Sequence, residues 1–342
     1  MKILVIRRDN IGDLVCTTPL FRALRNKYAD ARIDALVNSY NAPVLTHNSD
    51  LDHVFFYTKA KHRGVGQSLF GVYWQRIAMM WSLRRTHYDY VMLTGGGNPA
   101  RMLRLTRWIA PQSVIGFWPE AGRYPGIDQG VPADRQPRHE VENTFRLLQP
   151  LGIGGTPPGL RLEPDPTEKQ RAAQSLSRAP WYDANKLVVA VHISARKVPQ
   201  RWPAERFAEL MHRLNRQHGC QFLLFWSPGD ENNPLHPGDD GKAAAILASC
   251  GDLPVLPYAT ERLDELIGGL SQCRAMVCSD GGAMHIGAAL GLSIVCFFGN
   301  SDPVTWRPWG VPHEVLQKTS RDVNDISVTE AADAFARLLA SG

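Results

Sequence analysis

The most constraining feature of this chain is a pattern that runs through it twice: short aliphatic runs alternate with longer amphipathic stretches. In the first series Lys2 to Ile6, Arg32 to Val37, Val54 to Tyr57, Tyr90 to Leu93 and Val114 to Gly116 read as strands. Thr18 to Lys27, Tyr73 to Arg85, Ala100 to Ile109 and Val141 to Leu151 read as helices. In the second series the strands are Leu187 to His192, Gln221 to Phe225, Ala275 to Cys278 and Ser293 to Phe298. Its helices are Pro203 to His218, Arg262 to Ser271 and Ala283 to Leu290. Such alternation predicts α/β architecture: mostly parallel sheets with helices on both faces.

Between the two series, Gly152 to Pro166 concentrates Gly and Pro without periodicity, as a connection that joins neither core must. The expected organisation is an N-terminal domain over 1–155, a linker region over 156–184 and a C-terminal domain over 185–342. A last periodic segment, Val328 to Leu339, follows the capping candidates Asp325 and Ser327 and is expected to form a helix that packs back on the N-terminal domain. Open parallel sheets bind ligands beyond the carboxyl ends of their strands, so two of them predict a site in a cleft between the domains.

Bulk properties remove several function classes. The 342 residues are 44% hydrophobic, enough for two cores, and the net charge of +5 suits an anionic substrate but is not the concentrated stripe of a nucleic-acid binder. The six cysteines lie mostly in apolar segments without a C-x-x-C pair, which predicts buried free thiols in a reducing cytoplasm. The apolar run before Arg7 is too short for a signal peptide, and none approaches the roughly 20 residues that span a bilayer. Any membrane contact is therefore expected to be peripheral.

Three segments carry chemistry. Arg7 to Asp13 links the first strand to a helix start, where backbone amides and a positive dipole end suit an anion. It lacks G-x-G-x-x-G, which argues against a dinucleotide cofactor. Asp13 reads either as a general base for an acceptor hydroxyl or as a first-turn carboxylate that offsets the dipole. The second segment, Cys278 to Gly291, opens a helix at Asp280-Gly281-Gly282, whose glycines let amides approach a phosphate, with Met284 and His285 about one turn in. The third, His192 to Pro203, offers Ser194, Arg196, Lys197 and Arg201 as phosphate donors or as a solvated basic loop.

Together, KILVIRRDNIGDLVCTTPLFRALRNKY, HISARKVPQRWPAERFAEL and SDGGAMHIGAALGLSIVCFFGNSDPVTWRPWG resemble the three main blocks of glycosyltransferase family nine, the lipopolysaccharide heptosyltransferases. HEVENTFRLLQPLGI extends the similarity across most of the chain. The resemblance implies a GT-B fold of two Rossmann-like domains, the N-terminal one for the acceptor and the C-terminal one for the nucleotide sugar. It implies Asp13 as general base, with Asp280, Gly281, Gly282, Met284 and His285 gripping the donor. Glu231 then reaches a ribose hydroxyl unless its loop is merely solvated. Family members commonly have lysine where this chain has Gln200, which leaves Lys197 or Arg196 to take over that phosphate contact, and commonly have threonine at Gly281.

The implied reaction is inverting and metal-independent transfer of heptose from ADP-L-glycero-D-manno-heptose to a lipopolysaccharide core acceptor, with no cofactor, by a cytoplasmic protein peripheral on the inner membrane. The alternatives are a non-catalytic nucleotide-sugar binder, or a transferase with another donor sugar or a protein acceptor. Asp50-Leu51-Asp52 has the D-x-D form of a metal site but lies in the half not expected to hold the donor. Asn10, Lys59, Lys61 and Arg63, with Arg84, Arg85, Arg101 and Arg104, are the expected attraction for an anionic lipid core. Tyr73, Trp74, Ile77, Met80 and Trp81 form either an interfacial apolar stripe or the buried face of a helix.

Overall fold

The computed structural model describes residues 1–57, 69–95, 99–119, 122–133, 136–233 and 238–340. The chain divides into two compact units, Met1–Glu163 and Pro164–Gly342. The first contains β1 (Lys2–Ile6), α1 (Ile11–Val15), α2 (Thr18–Lys27), β2 (Arg32–Asn38), β3 (His53–Tyr57), α3 (Leu69–Thr86), β4 (Tyr90–Leu93), α4 (Pro99–Ile109), β5 (Ser113–Trp118), β6 (Gln129–Pro132) and α5 (Glu140–Phe145). The second contains α6 (Pro166–Ser177), β7 (Val188–His192), α7 (Ala204–His218), β8 (Gln221–Trp226), α8 (Asp240–Ser249), β9 (Val255–Ala259) and α9 (Leu263–Leu270). It continues with β10 (Ala275–Ser279), α10 (Gly282–Ala289), β11 (Ser293–Phe298), α11 (Pro303–Trp306), β12 (His313–Gln317) and α12 (Val328–Ala340).

The two sheets run β3-β2-β1-β4-β5-β6 and β12-β11-β10-β7-β8-β9, parallel throughout. Numbered from its own first strand, each has the order 3-2-1-4-5-6. The chain therefore reverses direction across the sheet between β1 and β4, and again between β7 and β10, and a crevice opens at the carboxyl ends of those pairs. Ile6 is in register with Leu93, and Cys278 with His192, so Arg7 and Thr94 emerge side by side in one unit, as Ile193 and Ser279 do in the other.

The strands missing from the sequence reading are all edges. β6 (QGVP), β9 (VLPYA) and β12 (HEVLQ) each border a sheet on one side only, which permits the Pro and polar residues that mask them as strands. The helix expected over Val141 to Leu151 is α5 followed by a 3-10 segment, Arg146–Leu151. Pro150 lacks the N–H an α-helix needs there, and Gly152 ends the turn at φ 65°, the left-handed region where a side chain is strained. The expected linker region holds α6, capped by Asp165 accepting from the Thr167 and Glu168 N–H groups at 2.9 and 3.1 Å. α6 packs on α9 so closely that a Cβ at Gly268 would lie 2.8 Å from the Glu168 backbone.

The last helix, expected over Val328 to Leu339, is α12. Val328, Ala331, Ala332, Ala334, Phe335 and Leu338 of α12 are buried in the same cluster as Leu210 and Met211 of α7 and Val295 and Phe297 of β11, so its apolar face completes the C-terminal core. In the same cluster Trp202 lies edge-on to Phe207 (4.8 Å, 88°) and 4.6 Å from Phe297, and its indole N–H donates to the Ile326 carbonyl at 2.9 Å. Trp202 thus anchors the β7–α7 loop. All six cysteines are buried thiols, with burial pushing Cys220 up to about 12.

Truncating Trp202 to Ala leaves a cavity and removes one of the two hydrogen bonds to the Ile326 carbonyl, the other coming from Arg206, and is expected to cost about 3–5 kcal/mol in urea unfolding. A loss under about 1 kcal/mol would show that the loop does not depend on this anchor.

Candidate active site

The switch point of the first sheet is organised by a buried cation. Arg7 is 1% exposed, and its guanidinium faces three carboxylates. Nη2 donates to Asp13 Oδ1 and to Glu140 Oε1, both at 2.8 Å, and Nε lies 3.3 Å from Asp9 Oδ2. Nη1 donates to the Thr94 carbonyl beyond β4 and, at 3.4 Å, to Thr144 Oγ1 of α5. Burial opposes the charge, but the carboxylates of Glu140, Asp13 and Asp9 more than offset it and hold the guanidinium pKa above the ordinary arginine value.

Asp13 sits in the first turn of α1, its side chain 15% exposed. Oδ2 accepts from the Asn10 backbone N–H at 3.2 Å and from Asn10 Nδ2 at 3.0 Å. Asn10 and Asp13 therefore form one helix-start unit, and the dipole role left open by the sequence is filled. A carboxylate has about four acceptor positions, and the three bonds from Arg7 and Asn10 leave one for a further hydrogen. The loop itself is pinned by Asn38 Nδ2 donating to the Arg8 carbonyl at 2.7 Å and by Asn38, Asn41 and Tyr40 donating to the Asp9 carbonyl. The Arg8 guanidinium stacks on the Tyr57 ring at 4.4 Å.

The expected acceptor residues Lys59, Lys61 and Arg63 lie outside the described residues. Asp50 and Asp52, the D-x-D candidate, are committed to arginines: Asp50 to Arg22 and Arg161, Asp52 to Arg25 and the Ile33 N–H. Among the described residues no three His, Cys, Asp or Glu side chains cluster as a metal site.

At the switch point of the second sheet, β10 ends in Ser279 and Asp280 and α10 begins at Gly282. Gly282 and Ala283 head the helix with their amides unclaimed by the ladder, as an anion requires. Gly281 is extended, and a Cβ there would meet nothing within 4 Å, so the threonine common in the family would fit. Gln200 Nε2 donates to Asp280 Oδ2 at 2.8 Å and to Ser301 Oγ at 3.0 Å. Gln317 Nε2 holds the Gly299 and Ser301 carbonyls at 2.8 and 2.9 Å, and a Cβ at Gly299 would lie 2.4 Å from the Pro199 carbonyl. Three loops are thereby locked around Asp280. Burial raises the Asp280 pKa, while Ser301, the Lys197 ammonium and Gln200 pull the other way.

Gln200 therefore positions a carboxylate, and Lys197 is the cation that feels it. Arg196 is exposed. Arg201 Nε donates to the Ala195 carbonyl at 2.9 Å, bracing the loop, and Ser194 Oγ accepts from the Ser227 N–H at 2.9 Å, joining it to the β8–α8 loop. Glu231 in that loop is exposed. The Met284 side chain is buried in the core, so only its backbone can face a ligand. The His285 ring is also buried, edge-on to Trp306 at 6.0 Å.

Sequence reasoning missed Arg7 and Glu140, which are 133 positions apart, along with Ser301, Gln317 and Lys242. Lys242 donates to the Ile193 carbonyl at 2.9 Å and lies over the Phe207 ring; burial first, then Arg201, lowers its pKa to about 8 against the pull of Asp239 and Glu205. The doubled arginine after β1 was the one available signal for the first cluster, since a charge so close to a buried strand needs partners.

Each doubly wound unit thus places a helix start at its switch point, where open parallel sheets bind ligands. Residues 76–333 match glycosyltransferase family 9 (heptosyltransferase). The chain is 25% identical over 309 residues to lipopolysaccharide heptosyltransferase 3 of Escherichia coli (strain K12), covering 87% of this chain and 82% of that protein. Among solved structures it resembles the glycosyl transferase family 9 protein from Veillonella parvula DSM 2008 (TM-score 0.84, 20% identity, 100% and 98% covered). It also resembles the E. coli ADP-heptose lps heptosyltransferase II (TM-score 0.76, 20% identity, 100% and 99% covered). The chain belongs to glycosyltransferase family 9, and its two units carry the GT-B fold.

Because the folded-state pKa of Asp280 is raised, its ionised form costs stability: the contribution is favourable below the unfolded value near 3.9 and is lost as pH rises through the folded value. Asp280→Asn, which can still accept from Gln200, is accordingly expected to be more stable than the wild type at pH 7, with the gap closing at acid pH, and to lose transfer activity. Equal urea midpoints at pH 7 would contradict the burial penalty.

Proposed function

We propose that the chain transfers heptose from ADP-L-glycero-D-manno-heptose to a lipopolysaccharide core acceptor, with inversion at the anomeric carbon and without a metal ion. Family membership and the relatives that carry the lipopolysaccharide heptosyltransferase name support the donor and acceptor classes. The observation that carries the mechanism is the Asp13 carboxylate, partly open, held by Arg7 and Asn10, with one acceptor position left.

In this reading the N-terminal unit takes the acceptor, with Asn10 and the basic residues beyond β3 around it, and the C-terminal unit takes the donor. Asp13 accepts the proton of the acceptor hydroxyl as its oxygen bonds to the anomeric carbon; the bond from that carbon to the diphosphate oxygen breaks, and ADP leaves. Negative charge that builds on the diphosphate meets the α10 amides of Gly282, Ala283 and Met284, with Lys197 and Arg196 supplying the positive charge. Asp280, fixed by Gln200 and Ser301, is suited to orient the sugar hydroxyls. The protein works at the cytoplasmic face of the inner membrane, where the lipid-borne acceptor is presented.

One observation favours a second reading, a nucleotide-sugar binder without turnover: the Gln200 amide is taken up by Asp280 and Ser301, so the usual lysine contact has no direct replacement. ADP release from ADP-heptose separates the two. With a truncated core lipopolysaccharide, in EDTA, the transferase reading predicts acceptor-dependent release that falls at least about 10²-fold in Asp13→Asn. ADP-heptose binding without release, across core acceptors of every length, would establish the binder instead.

A further inference from the structure

We propose that the exposed face of α3 and α4 docks the protein on an anionic lipid bilayer. This goes beyond the proposed reaction and stands on the surface of the N-terminal unit alone.

Trp74, Ile77 and Trp81 of α3 are spaced three and four residues apart, on one face of the helix, and are 66%, 50% and 55% exposed. The buried-face alternative therefore does not hold for these three: Leu83, and in part Met79 and Met80 of the stripe, supply the core contacts, while the Tyr73 side chain lies outside the described residues. Trp108 of α4 extends the patch, edge-on to Trp81 at 6.2 Å and itself exposed. Large apolar side chains at this density on an open surface mark an interaction face. Tryptophan, with an apolar ring and a polar N–H, suits the headgroup boundary of a bilayer.

Charge selects the partner. α3 and α4 contain six arginines and no acidic residue in their 18 and 11 positions. Arg85, Arg104 and Arg107 are exposed around the apolar patch, and Arg84 lies over the Trp108 ring at 5.1 Å. An apolar face ringed by arginine is complementary to anionic headgroups. A second copy of the chain fits it less well, since a two-fold contact would set this all-arginine face against itself.

The face is mechanically joined to the Asp13 loop. Arg76 of α3 and Arg8 stack on the Tyr57 ring at 4.5 and 4.4 Å, so a docked α3 holds the carboxyl-end loop of β1 at a fixed place relative to the bilayer. Among the described residues no helix is long and apolar enough to cross a membrane, which leaves surface docking as the mode these helices allow.

The test is flotation of the full chain with vesicles of equimolar phosphatidylglycerol and phosphatidylcholine, against phosphatidylcholine alone, with no lipopolysaccharide present. The expected result is salt-sensitive binding to the anionic vesicles, weakened about tenfold or more both in a Trp74→Ser, Ile77→Ser, Trp81→Ser variant and in an Arg107→Glu variant. The charge variant carries the test if the apolar one does not fold. ADP release on a water-soluble core oligosaccharide stays at the wild-type level in both, which separates a docking failure from failure of the proposed reaction. Binding that is equal on neutral and anionic vesicles, or undiminished in the folded variants, overturns the proposal. So does a wild-type dimer in sedimentation that the serine variant disperses, because a second copy would then cover the face.

Discussion

The guanidinium of Arg7 is the interaction on which the first unit's active end depends. It emerges from β1 into a site with almost no solvent, and a charge there persists only if it is paired and hydrogen-bonded on several sides. The partners come from β1's own loop (Asp9), the start of α1 (Asp13), the end of β4 (Thr94) and α5 (Glu140 and Thr144). One side chain thus fixes four separate pieces of backbone around the strand-order reversal. Three carboxylates about one cation leave the site net negative, and Asp13 is the member that also forms the N-terminal unit of its helix with Asn10. Its orientation follows from that double attachment.

The second unit reaches the same topology with a different centre. Here the central ion is a half-buried carboxylate, Asp280, and its neighbours are mostly neutral amides and hydroxyls, with Lys197 as the nearby cation. Gln200 and Gln317 act as cross-braces between the loops after β7, β10 and β11, while Trp202 plugs the first of these loops into the core. Rigid support of this kind is what a phosphate-receiving helix start needs, because amides stabilise developing charge only if they are aimed beforehand. Where the family commonly has lysine, an amide braces the carboxylate directly and leaves the cation one loop turn away.

Much of the fold was legible because a parallel sheet buried on both faces writes itself as aliphatic runs, as in KILVI and AMVCS. β9 was hidden by Pro257 and β12 by its polar HEVLQ, both permitted because an edge strand is paired on one side only. α6 was hidden by its few apolar positions, of which Ala172 and Leu176 are the buried ones. At the site, Asp13 and Asp280 could be found from their place between a strand and a helix start. Glu140 could not, because its role exists only once the fold brings it to Arg7. His285 and Met284 were named from their place at a helix start and from the resemblance; that both side chains are buried is a feature their position in the sequence does not reveal. For the α3 stripe the sequence pattern fits burial and exposure equally, since a wide apolar face has no strong period; tertiary packing decides it.

The central claim is that Arg7 serves transfer through Asp13, holding the carboxylate where a proton must be taken. A double-mutant cycle on kcat/KM tests this most directly, using Arg7→Lys, Asp13→Asn and the combined variant with ADP-heptose and a truncated core acceptor. The account predicts strong non-additivity: each single change slows transfer, and the combined variant is about as slow as Asp13→Asn alone. Losses that simply multiply would contradict it, because they would mean that Arg7 and Asp13 act on the reaction independently.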